Sequence, residues 1–173
     1  MKSFGVELID ADEESLDGVL RMEECCFPSD WQFDNAAEYY RDMLCDPENI
    51  NLALKEGSTL IGYLLAVPYG KAQPWLREAD PDLPTDNQRR FYIETVGVVP
   101  WMRARGGGSL LLHEACKEGV KRGGRFCAMH ARIQNGFSEK VQRLFEGRIV
   151  TARRILQWPW AAGEAYEYLE WIC

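Results

Sequence analysis

The run Val96-Gly97-Val98-Val99-Pro100-Trp101-Met102-Arg103-Ala104-Arg105-Gly106-Gly107-Gly108-Ser109 carries the strongest architectural signal in the chain. A stretch rich in β-branched and aromatic residues, Phe91 to Val99, predicts a strand entering it. Pro100 and the glycines turn the chain. Leu111, Leu112, Ala115, Cys116 and Val120 recur at helical spacing and predict a buried helix face over about residues 108–122, ended by Gly123-Gly124. The first amides of a helix have no backbone partner within it, and glycines let a ligand approach them closely. Strand, glycine turn and helix together make an anion cradle of the kind that suits a pyrophosphate. The structural alternative is a tight turn that uses its glycines for geometry alone. No Gly-Lys-Ser/Thr closes the run, so it is not a Walker loop, and Arg103-x-x-Gly106-x-Gly108 lacks the Gly-x-Gly-x-x-Gly spacing of a dinucleotide fold.

Outward from this run, Phe4 to Ile9 predicts a first strand, and Asp10 or Asp12 can cap a helix burying Leu16, Val19, Leu20 and Met22. Phe27-Pro28-Ser29-Asp30-Trp31 breaks that helix, and a second runs from about Asn35 to Cys45 until Pro47 stops it. Asn51–Lys55 and Thr59–Val67 predict a hairpin turning at Glu56-Gly57-Ser58. Residues 68–90 hold Pro74, Pro81 and Pro84 and predict an irregular insertion, long enough to be functional or mobile. Phe126 to Ile133 predicts a strand, Ser138 caps a short helix with Val141, Leu144 and Phe145, and Arg154–Trp158 and Ala165–Ile172 predict two last strands joined around Ala162-Gly163. The expected order is β-α-α-β-β-β-α-β-α-β-β, an α/β (α+β) sandwich with a mixed, mostly antiparallel sheet of about seven strands flanked by helices.

The bulk numbers limit what such a fold can do. A chain of 173 residues fits one domain spanning 1–173 with a sizeable core. Twenty basic against 27 acidic residues give a net charge of −7, which argues against nucleic acid as partner because phosphates need clustered positive charge. The opening Met1-Lys2-Ser3-Phe4-Gly5 lacks the apolar run of a secretion signal and no stretch is long enough to span a membrane, so a cytoplasmic location is expected. Six cysteines without a Cys-x-x-Cys pair, and only His113 and His130, predict no metal site.

The run Val96-Gly97-Val98 followed by Arg103-x-x-Gly106-x-Gly108 resembles the acyl-CoA motif of the GNAT superfamily of N-acetyltransferases, and the coarse order of elements matches across nearly the whole chain. The resemblance implies acetyl-CoA as co-substrate and an amine, either a small molecule or a protein N-terminus, as acceptor. It implies that Arg103, Ala104, Arg105, Gly106, Gly107, Gly108 and Ser109 hold the pyrophosphate and that Val96 and Val98 line the pantetheine. It implies no metal and direct attack of the amine on the thioester.

Alternation puts Tyr92, Glu94, Val96 and Val98 on one face of their strand, and Phe126, Ala128, His130 and Arg132 on one face of the next. The opposite set, Cys127, Met129, Ala131 and Ile133, reads as core. Tyr92-Ile93-x-Thr95-x-Gly97, Met129-His130-Ala131-Arg132-Ile133-x-Asn135 and Phe27-Pro28-x-x-Trp31 are similar to segments of protein N-terminal α-amino acetyltransferases. That similarity implies that Tyr92 and His130 manage the amine proton and that Phe27 and Trp31 touch the acceptor. His130 is the better base on intrinsic pKa, about 6.5 against about 10 for tyrosine. Glu94 is the rival base, because other members of the superfamily use a carboxylate on this strand. Each residue has a structural alternative: Tyr92 and His130 as satisfied interior groups, Glu94 as an ion-pair partner of Arg132 or a solvated carboxylate.

Two features depart from the family. Phe145 stands where many members carry a tyrosine that protonates the leaving thiolate, and the 68–90 insertion replaces a short connection. The first motivates a second reading, a catalytically weak acyl-CoA-binding sensor. A third is an interaction domain presenting Trp75, Trp158 and Trp160. In the enzyme reading the acceptor lies by the Phe27–Trp31 loop, the 68–90 segment and the Trp158–Glu164 turn. An α-amine of pKa about 8 is roughly one-tenth neutral at pH 7, whereas a lysine amine near ~10.4 is almost wholly protonated, so a base as weak as histidine favours α-amines or small amines of low pKa.

Overall fold

The computed structural model describes residues 4–86, 88–161 and 163–173. Ala162, expected in the last turn, and Met1-Lys2-Ser3 lie outside the described residues. The elements run β1 (Phe4–Leu8), α1 (Glu13–Cys26), α2 (Ala36–Cys45), β2 (Ile50–Glu56), β3 (Thr59–Pro68), α3 (Tyr69–Ala79), β4 (Arg90–Val98), α4 (Gly107–Lys121), β5 (Phe126–Arg132), α5 (Phe137–Leu144), β6 (Ile149–Ile155) and β7 (Tyr166–Ile172). The strands form a seven-stranded sheet in the order β1-β2-β3-β4-β5-β7-β6. β4 and β5 pair in parallel, while β1–β2, β2–β3, β5–β7 and β6–β7 are antiparallel. This is the mixed, mostly antiparallel sheet that the order of elements predicts.

The chain divides into two compact units, Met1–Ala66 with Thr95–Ala115, and Val67–Glu94 with Cys116–Cys173. In the first, Asp12 caps α1 by accepting a 2.8 Å bond from the Ser15 amide, and Leu16, Val19, Met22 and Cys26 form the buried stripe. The β2–β3 hairpin turns at Gly57, whose φ of 63° suits glycine. A Cβ on Gly97 would stand 2.8 Å from the Tyr63 ring, and one on Gly62 would stand 2.7 Å from the Gly97 carbonyl oxygen. These two glycines let the end of β4 and the middle of β3 close on one another.

In the second unit β5 is covered on both faces, with Phe126, Cys127, Ala128, Met129 and Ala131 all buried, so the expected division into one apolar and one polar face holds only for His130 and Arg132. Its antiparallel register against β7 sets His130 opposite Tyr168. α5 packs against these two strands. Phe145 stacks on Trp171 with ring centroids 4.6 Å apart, and both are wholly buried.

Four expectations need correction. Residues 69–79 are helical rather than irregular. Pro74 cannot donate to the carbonyl of Gly70, a loss of about 3 kcal/mol in a helix interior. Tyr69, Ala72 and Leu76, however, share one buried face, and each large apolar side chain buried is worth about 1.5–3 kcal/mol. Burial wins over the proline. Val120 is 52% exposed, because the buried stripe of α4 continues through Gly119 against Phe91 and turns Val120 past it. Ser138 does not cap α5. Gly136 does so with φ 72°, and the buried Ser138 hydroxyl donates to Glu167 instead. β6 begins at Ile149 and stops at Ile155, so Trp158 lies beyond it, bridged to Ala161. The alternating exposure of this edge strand, with Arg153 and Arg154 in it, hides it from a search for apolar runs. Among the described residues no helix is long and apolar enough to cross a membrane.

Candidate active site

The glycine run leaves β4 through a 3₁₀ turn, Pro100–Met102, and enters α4 at Gly107. Ala104 and Gly106 have φ of 62° and 89°, so the loop curls through two left-handed residues. Arg103 braces this curl. Its Nε donates to the Val98 carbonyl at 3.1 Å, its Nη2 to the Cys26 carbonyl at 2.9 Å, and its amide to Pro100 at 3.2 Å. The Arg103 side chain therefore holds the curl together. The guanidinium of Arg105 rests 3.0 Å from the Met102 sulfur and over the Phe4 ring.

The amides of Gly107, Gly108 and Ser109 begin a 15-residue helix with no acidic residue in its first turn. Such amides lack intrahelical acceptors, and the helix dipole favours an anion beside them. A Cβ on Gly106 would meet nothing within 4 Å, so the space before the helix is open. These residues fit a pyrophosphate. Val98 lies behind them, its methyl groups 3.9 Å from where Cβ atoms on Gly107 and Gly108 would stand, and Val96 is half-buried on the same strand. Phe27 ends α1 and Trp31 closes a 3₁₀ turn, both half-buried. The segment between them is tied down where Gln32 donates to the Phe27 carbonyl at 3.0 Å and the Phe33 amide donates to Glu23 at 3.0 Å.

The other predicted residues belong to the second unit. Tyr92 on β4 and His130 on β5 meet, with the Tyr92 hydroxyl 2.9 Å from His130 Nδ1. His130 Nε2 lies 3.0 Å from Asp80 Oδ2, and Arg153 Nη2 lies 2.5 Å from the same oxygen. The His130 and Asp80 side chains are 1% and 0% exposed. Asp80 follows α3 directly and Arg153 lies on β6. Spacing along the chain could not have found either one, since Asp80 is 50 residues from His130 and 73 from Arg153.

Electrostatics fix the direction of this chain of bonds. Burial acts to raise the Asp80 pKa, but the bonds from His130 and Arg153 outweigh it and hold the carboxyl at about 2. Burial lowers the His130 pKa below its usual value, with the Asp80 carboxylate opposing in part. Burial, with the Glu94 carboxylate adding, drives the Tyr92 phenol well upward. At neutral pH the three are therefore carboxylate, neutral imidazole and phenol. A carboxylate only accepts, so Nε2 carries the imidazole hydrogen and Nδ1 offers a lone pair to the Tyr92 hydroxyl. Asp80 thus accepts from His130, which in turn accepts from the Tyr92 hydroxyl.

Glu94 lies two residues on in β4 and is half-buried. Arg132 Nε lies 2.6 Å from Glu164 and 3.0 Å from the Tyr166 hydroxyl. Phe145, where the resemblance implies a proton donor in other members, is a core residue on Trp171. The cysteine spacing holds no metal motif, yet the sulfurs of Cys116 on α4, Cys127 on β5 and Cys173 just after β7 lie within 4.8 Å of one another. The indole N–H of Trp171 points at the Cys116 sulfur at 3.1 Å.

A sequence comparison with curated proteins finds no match. Solved structures share the fold throughout. The ribosomal-protein-S18-alanine N-acetyltransferase of Escherichia coli superposes with a TM-score of 0.65 at 15% identity, covering 98% of this chain and 94% of its own. NAA60 of Arabidopsis thaliana in complex with acetyl-CoA gives 0.69 at 18% identity, covering 98% of each chain. An aminoglycoside 6'-N-acetyltransferase complexed with coenzyme A gives 0.69 at 16% identity, covering 97% and 96%. At such identities the likeness concerns the fold alone. Family membership comes from the sequence, where the model of the Acetyltransferase (GNAT) family matches residues 16–146. The strand–glycine turn–helix run and the match across most of its length make this chain a member of the GNAT acetyltransferase family.

Proposed function

We propose that this acetyltransferase moves an acetyl group from acetyl-CoA to a primary amine, with Tyr92, His130 and Asp80 as its proton path. Acetyl-CoA supplies an activated thioester carbonyl, which the amine nitrogen attacks as the carbon–sulfur bond breaks and the thiolate departs. The amides of Gly107, Gly108 and Ser109 hold the pyrophosphate, Arg103 shapes the loop around it, and Val96 and Val98 serve the pantetheine. Phe27 and Trp31 serve the acceptor.

The observation that carries the proton path is the unbroken run of contacts from the Tyr92 hydroxyl to His130 Nδ1 at 2.9 Å and from His130 Nε2 to Asp80 at 3.0 Å. An attacking amine must lose a proton. The Tyr92 oxygen takes it while its own proton passes to His130 Nδ1, and the imidazolium so formed sits against the Asp80 carboxylate. Neither Tyr92 nor His130 is charged beforehand, so the resting site pays no charge burial beyond the Asp80–Arg153 pair.

Calorimetry with acetyl-CoA, followed by release of free CoA in the presence of a panel of amines, tests the reading. Binding of one equivalent with amine-dependent release is the expected result. A folded protein that binds no acetyl-CoA would falsify it. Binding without transfer to any amine would instead leave an acyl-CoA sensor.

A further inference from the structure

Five aromatic side chains close a circuit around the Tyr92–His130 pair. Tyr92 meets Trp75 with ring centroids 6.0 Å apart, Trp75 meets Trp160 at 5.8 Å, Trp160 meets Trp158 at 5.4 Å, Trp158 meets His130 at 4.7 Å, and His130 returns to Tyr92 at 5.7 Å. The circuit has a floor and a rim. Tyr92 and Trp158 are 4% and 9% exposed, whereas Trp75 and Trp160 are 39% and 51% exposed. Two contacts are edge-on, at 84° for Trp75–Tyr92 and 83° for Trp158–Trp160, so the rings stand as walls and not as a flat stack. Half-exposed indoles in mutual contact leave apolar face in water that an apolar ligand would cover.

The chemistry of the walls selects the ligand. Three acids lie near the circuit: Asp80, paired with Arg153 and accepting from the neutral His130 ring, Glu164, paired with Arg132, and Glu94, two residues from Tyr92 on β4. A polyamine needs several carboxylates for its outer charges, and two of these three are already neutralised. A planar hydrocarbon group beside a single amine matches both parts of the cup, with rings at the rim for the hydrocarbon and the proton-accepting hydroxyl of Tyr92 at the floor for the nitrogen.

We propose that Trp75, Trp160 and Trp158 form an aromatic cup that binds the side group of the acceptor, and that the acceptor is a primary amine carrying an aromatic or bulky planar apolar substituent. This rests on the acetyl-transfer reading. The same chemistry can be presented by a free arylalkylamine or by a peptide whose first residue is aromatic.

The test has two independent readouts on the full chain. The first is kcat/KM with acetyl-CoA for 2-phenylethylamine, butylamine, spermidine, and tetrapeptides beginning with Phe or Ala. The aryl amine should exceed butylamine and spermidine by roughly tenfold or more, mostly through KM, since each edge-on or stacked ring contributes about a 2- to 12-fold gain. Whichever aryl compound leads, free amine or Phe-initial peptide, identifies the source. In Trp75→Ala/Trp160→Ala the ratio of aryl to butyl amine should fall toward unity, and Trp75→Phe/Trp160→Phe should restore most of it. Equal or better use of butylamine or spermidine by the unaltered protein, or an unchanged ratio in the alanine variant, overturns the cup. The second readout is quenching of tryptophan fluorescence by 2-phenylethylamine, which needs no turnover. Quenching that saturates in the unaltered protein and is lost in an alanine variant with unaltered far-UV circular dichroism supports the cup even where no amine is acetylated. Transfer without selectivity or saturable quenching sinks the cup while leaving the acetyl-transfer reading intact.

Discussion

The glycine loop draws its donors from one continuous run, residues 96–109, whereas the groups around His130 come from four places: the end of α3, β4, β5 and β6. The contrast is chemical as well as topological. The loop offers backbone amides, which no substitution but proline removes. The cluster offers side chains alone, the members of the proposed proton path. Loss of function at the loop should therefore come from adding a group, and at the cluster from deleting one.

The largest effect is expected at the cluster. His130→Ala should lower turnover by roughly 10²–10⁴-fold with acetyl-CoA affinity retained, and Tyr92→Phe should fall in the same range because it removes the group facing the amine. A loss below about fivefold in His130→Ala, together with a large loss in Glu94→Gln, would transfer the role of base to Glu94.

At the loop the structure separates two substitutions that look equivalent in sequence. Gly106 has φ 89°, so any side chain there strains the backbone, whereas a Cβ on Gly108 meets only Val98 at 3.9 Å. Gly108→Glu is the clean probe. A carboxylate 4–5 Å from a phosphate costs about 3–4 kcal/mol at an effective dielectric near 20, so calorimetry should find acetyl-CoA affinity reduced by roughly 10²–10³-fold in a protein with unchanged circular dichroism. Undiminished affinity would return the glycines to a purely geometric role.

Asp80→Asn acts on orientation rather than on the reacting atoms. An amide can donate to Nε2 and so reverse the imidazole tautomer, which aims N–H and not a lone pair at Tyr92. Turnover should drop by about tenfold or more. The pH profile distinguishes this from simple loosening. In the native protein His130 has a pKa below its usual 6.5, so the acid limb of kcat/KM lies below that value. Asp80 holds that pKa up against burial, and removing its charge should move the limb to lower pH still. A limb that moves upward would contradict the arrangement. Stability should respond in the same sense. A histidine depressed in the fold contributes stability that is full above pH 6.5 and lost as pH falls through the folded pKa. Asp80, held at about 2 from 3.8, adds a second loss as pH falls between those values.

What the sequence discloses follows the same division. The loop was legible because its chemistry is local: strand, glycines and helix stand in order along the chain. Tyr92 and His130 were legible through strand alternation joined to a family likeness. Asp80 was hidden because three prolines marked its segment as irregular, and the buried face of Tyr69, Ala72 and Leu76 that overrides Pro74 has only three members. Arg153 was hidden on an edge strand whose alternation keeps half its residues in solvent. The aromatic circuit joins Trp75 to Trp160 across 85 positions that no local pattern links.

The smallest expected effect concerns the position where sequence and family diverge most openly. Were Phe145 a lost proton donor, Phe145→Tyr would restore a hydroxyl and raise turnover. Phe145 is 0% exposed and lies flat on Trp171 at an interplanar angle of 14°. Its neighbours are an indole face and, over its own ring, the Arg148 guanidinium at 4.9 Å. A new hydroxyl would be carried into that stack, and burying one without a good partner costs about 1–3 kcal/mol. The variant should therefore melt several degrees lower (about 4–8 °C per kcal/mol in a domain near 100 residues, less in a larger one) while its turnover changes by less than about twofold. A gain of tenfold would return a general acid to α5. Unchanged turnover with reduced stability leaves the thiolate to depart unprotonated, and concentrates the proton chemistry on the side of the amine, at Tyr92 and His130.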